Sequence, residues 1–189
     1  MRPSTFVLAN ALPDAVRSIR DLYVKTLADS IKQAGEVHVE PSLRSKSGDP
    51  LLEGSLQTPV RVDFLYKFGA LAGKSGMVDT PHRLPLPQII SSIGDVALDI
   101  GSFQWDYASF TLHDARLDDL SNVRAWFLEA FDLEDRHPRG PDGLYNVVHF
   151  ISDPENGVFT IDFGSAPTET FLAAIRAFAS IGPRRISVG

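Results

Sequence analysis

The C-terminal 87 residues predict an α+β fold of the ferredoxin-like, βαββαβ type. Two segments show the spacing of amphipathic helices, and four show the alternation of strands. They follow in the order strand, helix, strand, strand, helix, strand. Such a fold constrains architecture and leaves activity open, because it hosts unrelated functions.

The first strand is expected over Phe103–His113. Phe103, Trp105 and Tyr107 alternate, and Phe110 and Leu112 continue on the opposite parity, which implies a bulge near Ala108 and Ser109. Asp118 to Asp132 reads as a helix: Leu120, Val123, Phe127 and Phe131 form its stripe, widened by Trp126 and Ala130. Asp118 and Asp119 suit its positive N-terminal end. Asn146–Ser152 and Val158–Phe163 read as a hairpin around the turn-rich Asp153–Gly157. If Phe150 and Ile161 share the helix-packed face, paired residues sum to 311, and His149 stands opposite Asp162. Ser165 to Ile181 is the second helix, with Phe171, Ala174, Ile175 and Phe178 inward and Gly182-Pro183 as its stop. Arg184–Val188 is the final strand.

The N-terminal part, 1–102, is expected to form an α+β layer on this unit. Pro13–Ala34 carries a helical stripe of Val16, Ile19, Tyr23, Leu27 and Ile31, ended by Gly35. Glu36–Glu40 is a short strand, and Ser42–Ser55 is a loop. Val60–Phe68 alternates cleanly, with Val60, Val62, Phe64, Tyr66 and Phe68 facing one way and Arg61, Asp63 and Lys67 the other. Residues 69–87 are rich in Gly and Pro. Residues 86–93 fit helix or strand, and Val96–Ile100 is a strand. Val147, Val148, Phe150 and Ile151 place apolar groups on both parities and imply that the far face of the sheet is covered. The N-terminal layer is the expected cover, with a second subunit the next candidate, and the two parts, 1–102 and 103–189, are expected to pack as one unit.

Composition narrows the function classes. There is no cysteine, so disulfides, thiolate nucleophiles and thiolate metal ligands are excluded. No apolar run reaches the roughly 18 residues of a spanning helix, and the start lacks a signal-peptide core, so a cytoplasmic protein is expected. Eleven basic and eleven acidic residues cancel before residue 103. Seven arginines face thirteen acids after it, so the C-terminal part carries the whole net charge of −6. That argues against a nucleic-acid backbone as partner and suits a basic protein.

The chemistry-bearing motifs are sparse. Gly69-Ala-Leu-Ala-Gly-Lys-Ser75 has one residue too few for a phosphate loop, and Pro81 interrupts the helix that should follow. Asp132, Glu134, Asp135 and Asp142 share a loop with Arg136, His137 and Arg139; calcium-loop spacing is missing, so no metal and no cofactor is expected. The same four acids are the candidate contacts for a basic partner. His149 with Asp162 is the one candidate catalytic pair, since a carboxylate can orient an imidazole, although a structural cross-strand pair is the commoner role. Trp105 and Arg61 are candidate ligand-binding groups beside it.

These readings favour a non-enzymatic binding protein, of which an immunity-type inhibitor of a basic toxin is the concrete form. A small-molecule-binding domain or enzyme centred on His149 and Asp162 is the alternative, and a structural homodimer a third.

Overall fold

The computed structural model describes residues 8–78, 80 and 84–189. Pro81 and His82, and so the point where a phosphate-loop helix would be cut short, lie outside the described residues.

Helix α1 (Leu8–Ala34) starts five residues before Pro13, the expected first position, so Pro13 lies inside it. Val16, Ile19, Tyr23 and Leu27 are its buried stripe. Gly35, at φ +81°, ends the helix with its N–H on the Ile31 carbonyl. A left-handed terminator of this kind costs glycine nothing.

Two small sheets follow. One has the order β1 (Val37–Val39), β4 (Phe64–Tyr66), β5 (Ser75–Gly76); the other pairs β2 (Leu52–Glu53) with β3 (Thr58–Pro59). The long strand expected over 60–68 is therefore confined to 64–66, and its facing is reversed at the start. Arg61 and Asp63 are buried, whereas Val60 and Val62 are only half-buried. The segment leaves the small sheet to run beside the main one, where the Arg61 N–H donates to the His149 carbonyl at 2.9 Å. The alternation survives, but its polar parity finds buried partners. Gly69–Leu71 forms a single 3-10 turn, exposed throughout.

The main sheet holds β6 (Ile89–Ile93), β7 (Val96–Ile100), β8 (Ala108–His113), β9 (Phe150–Ile151), β10 (Val158–Asp162) and β11 (Arg185–Val188). Their spatial order is β6-β7-β11-β8-β10-β9. Every neighbouring pair is antiparallel except β7 and β11. Ladder bonds thus link strands from before and after residue 102. Residues 89–93, compatible with either element in sequence, form a strand because Ile89–Ile93 pairs along the whole of β7.

Helices α2 (Ser121–Phe131) and α3 (Thr168–Ala179) pack on each other and on one face of this sheet. Between them and the sheet lies an aromatic core of Phe103, Trp105, Phe110, Phe159, Phe163, Phe171 and Phe178, with ring centroids about 5–6 Å apart. The chain is α+β.

Three further expectations change. The first strand begins at Ala108, not Phe103. Residues 104–107 form a tight turn closed by the Tyr107 N–H on the Gln104 carbonyl, so the change of parity is a strand start and not a bulge. The far face is not covered by the N-terminal part: Ser109, Thr111, His113, Thr160 and Ser187 on alternate positions are half-exposed. α1 instead packs beside α3 and β6, and β3 packs on α2 and the β9 edge.

The third change is the hairpin register, 312 and not 311. Ile151 pairs with Ile161, and Phe150 with Asp162. Residues 147–149 have left the strand. Asn146 has φ +60°, and the Val148 N–H is held by the Ala130 carbonyl at 3.0 Å. The apolar residues on both parities therefore reflect an edge covered on two sides.

Candidate functional site

His149 is fully buried where four chain segments meet. Its Nε2 lies 2.8 Å from Glu40 Oε1, and its Nδ1 lies 3.3 Å from Asp63 Oδ1 and 3.6 Å from Asp162 Oδ2. The expected partner Asp162 is present, but as the more distant of three carboxylates. Glu40 and Asp63 carry no local motif. They come from the turn after β1 and the approach to β4, and only the tertiary fold brings them to residue 149.

Each group is held by its backbone. Glu40 sits at φ +42° with no solvent exposure. Its carboxylate also accepts the Tyr145 N–H at 2.7 Å and the Ser165 N–H at 3.1 Å. Asp63 accepts the Tyr23 hydroxyl on Oδ1 and the Val78 N–H on Oδ2, both at 2.6 Å. Asp162 accepts the Gly164 N–H on Oδ1 at 2.8 Å, and a quarter of its side chain (26%) is exposed. Gly164, at φ +48°, lies against the imidazole; a Cβ there would fall 2.3 Å from His149 Cδ2.

Burial is the largest single influence on His149 and opposes its charge. The carboxylates of Asp162, Asp63 and Glu40 outweigh it and hold the imidazole well above its usual range. Burial likewise pushes Glu40 and Asp63 upward; His149, bonded to Glu40 and drawn close to Asp63, reverses this together with the N–H and hydroxyl donors on each carboxylate, leaving both below the usual carboxylate range. Tyr23 is raised by burial and by Asp162 and Asp63. Asp106 is raised chiefly by burial, with Asp162 and Asp63 adding to it.

Arg61 is a structural group. Its guanidinium donates to the carbonyls of Phe131, Glu40 and Asp132 and to Asp135 Oδ1, at 2.6–3.1 Å, and stacks over Phe131. It ties the C-terminal end of α2 to the Glu40 turn. Trp105 is buried and donates its indole N–H to the Gly164 carbonyl at 2.8 Å, so it supports the glycine that abuts His149.

The four loop acids divide. Asp132 is buried and accepts the His137 N–H at 2.6 Å, with Arg136 at 3.6 Å. Asp135 is the Arg61 partner, and Glu134 and Asp142 are exposed. The Gly69–Ser75 loop is remote in role, with no buried residue in its turn.

Two surface hollows bear on function. A groove of about 240 Å³ between α2 and α3 is lined by Trp126, Glu129, Ala130, His137, Glu169 and Ala173. An open cleft of about 360 Å³ lies outside Glu40, with His38, Arg44, Lys67 and Arg139 around it. Among the described residues no helix is long and apolar enough to cross a membrane. No protein-family model matches the chain, and neither a curated protein nor a solved structure is detectably similar to it.

Proposed function

We propose that the chain is a non-enzymatic binding protein for a basic protein partner, with an immunity-type inhibitor of a basic toxin as its concrete form. The groove between α2 and α3 carries this reading. Ala130 and Ala173 keep the helices close enough to leave a slot, Trp126 offers an aromatic wall, and Glu129 and Glu169 stand at the rim. An Arg or Lys side chain entering it would meet two carboxylates and an aromatic surface, a favourable setting for a cation. The groove lies in the half of the chain that carries the net negative charge. His149, by contrast, is sealed from substrate by full burial.

The strand order and directions of β11-β8-β10-β9, with α2 and α3 on one face, support reading 108–188 as a ferredoxin-like unit extended at its β11 edge by the β6–β7 hairpin.

The test compares the wild type with a Glu129→Lys/Glu169→Lys variant in affinity capture from the native source, then with the purified captured protein. A single basic protein that binds the wild type one to one, weakens with salt, and loses at least tenfold affinity for the variant supports the reading. Equal binding by both chains, or an acidic partner, would overturn it.

A further inference from the structure

Two carboxylates converge on the space beside His149 Nδ1 while a third, Glu40, holds the opposite ring nitrogen, and the geometry has the order of a metal site. His149 Nδ1, Asp63 Oδ1 and Asp162 Oδ2 all lie within 4.8 Å of one another. The two distances from Nδ1 are 3.3 and 3.6 Å. Ligands about 2.0–2.1 Å from a tetrahedral zinc ion stand roughly 3.3–3.4 Å apart, so this spacing matches two edges of such a tetrahedron.

A second observation points the same way. Among the described residues Nδ1 makes no hydrogen bond, although the ring is completely buried. An orphaned buried nitrogen is costly unless something else occupies it.

The groups behind the three donor atoms are already engaged. Glu40 Oε1 holds Nε2 at 2.8 Å, the Val78 N–H holds Asp63 Oδ2, and the Gly164 N–H holds Asp162 Oδ1. That leaves His149 Nδ1 and Asp162 Oδ2 for the ion; Asp63 Oδ1 also accepts the Tyr23 hydroxyl at 2.6 Å and would give the ion its second lone pair. A carboxylate on the far nitrogen of a metal-bound histidine is a recurrent orienting device. Charge agrees: among the described residues His149 is the one cationic side chain in contact with the carboxylates of Glu40, Asp63 and Asp162, so a divalent ion there would offset negative charge that the imidazole alone does not.

We propose that Asp63 Oδ1, His149 Nδ1 and Asp162 Oδ2 bind one divalent transition-metal ion, with zinc the best fit to the nitrogen–oxygen donor set and the spacing. Solvent completes the coordination from the partly exposed side of Asp162. The ion fastens the N-terminal segment that carries Asp63 to the sheet edge that carries His149 and Asp162. The donors are far apart in sequence, so no spacing motif announces them.

The test titrates cobalt(II), then zinc, into the chelator-stripped full chain. One equivalent of cobalt should give the visible d–d absorption of a four- or five-coordinate nitrogen–oxygen site, and zinc should bleach it. Zinc at a hundredfold excess over its Kd should raise Tm by about 5–10 °C. Glu40→Gln should weaken binding by about 10–100-fold, and Asp162→Asn should abolish the cobalt band. A wild type with no cobalt band and no shift in Tm would overturn the proposal whether or not the variants fold. A band that survives in Asp162→Asn would place the ion on surface histidines and overturn it equally.

Discussion

His149 takes its properties from where its neighbours lie, and the sign of its pH dependence follows. Its raised folded-state value means that stability from the imidazolium is fully present below about pH 6.5, the unfolded value, and is lost as pH rises through the folded value. Glu40 and Asp63 are depressed, so their contribution is present above about pH 4 and is lost as pH falls through their folded values. In chelator, denaturant unfolding should therefore show a plateau from about pH 4 to 6.5, falling on either side. Urea midpoints from pH 3 to 9 check this. A midpoint that climbs steadily through pH 8 would contradict the protonated assignment.

At the scale of elements, Arg61 shows how a strand-like segment becomes a clasp. Its planar fork serves carbonyls from the end of α2 and from the Glu40 turn together with Asp135, a task that a single ammonium cannot copy. Arg61→Lys should cost about 2–4 kcal/mol in urea unfolding, since buried carbonyls lose donors. A loss under 0.5 kcal/mol would show that the fork is dispensable.

The same segment marks where sequence reasoning succeeds and fails. α2, α3, β7, β10 and β11 are legible because each buries one periodic face on the shared core. Residues 60–63 are not, because Arg61 and Asp63 look like a solvent-facing parity until their partners arrive from elsewhere in the chain. Residues 147–149 mislead similarly: their apolar run suggests a strand, yet Val148 pairs with Ala130 and the ladder begins at Phe150. His149 and Asp162 are recognisable as a pair because the hairpin is local. Glu40, at a separation of 109 residues, is not.

Across the whole molecule, the polar cluster joins what the aromatic core does not. The aromatic rings between the main sheet and α2 and α3 come from residues 103–178, although the aliphatic core continues into α1 and β6–β7; Tyr23, Glu40, Arg61 and Asp63 add polar ties through His149, Asp135, the Ser165 N–H and α2-end carbonyls. Removing the imidazole leaves buried carboxylates facing one another, a loss of the class that costs about 3–5 kcal/mol. The most direct measurement is urea unfolding of wild type and His149→Gln, followed in parallel by Trp fluorescence and far-UV circular dichroism. The wild type should unfold in one coincident transition, and the variant should lose about 3–5 kcal/mol. A variant within 0.5 kcal/mol of wild type would contradict the role of His149 as a group that ties the Glu40 and Asp63 segments to the sheet edge.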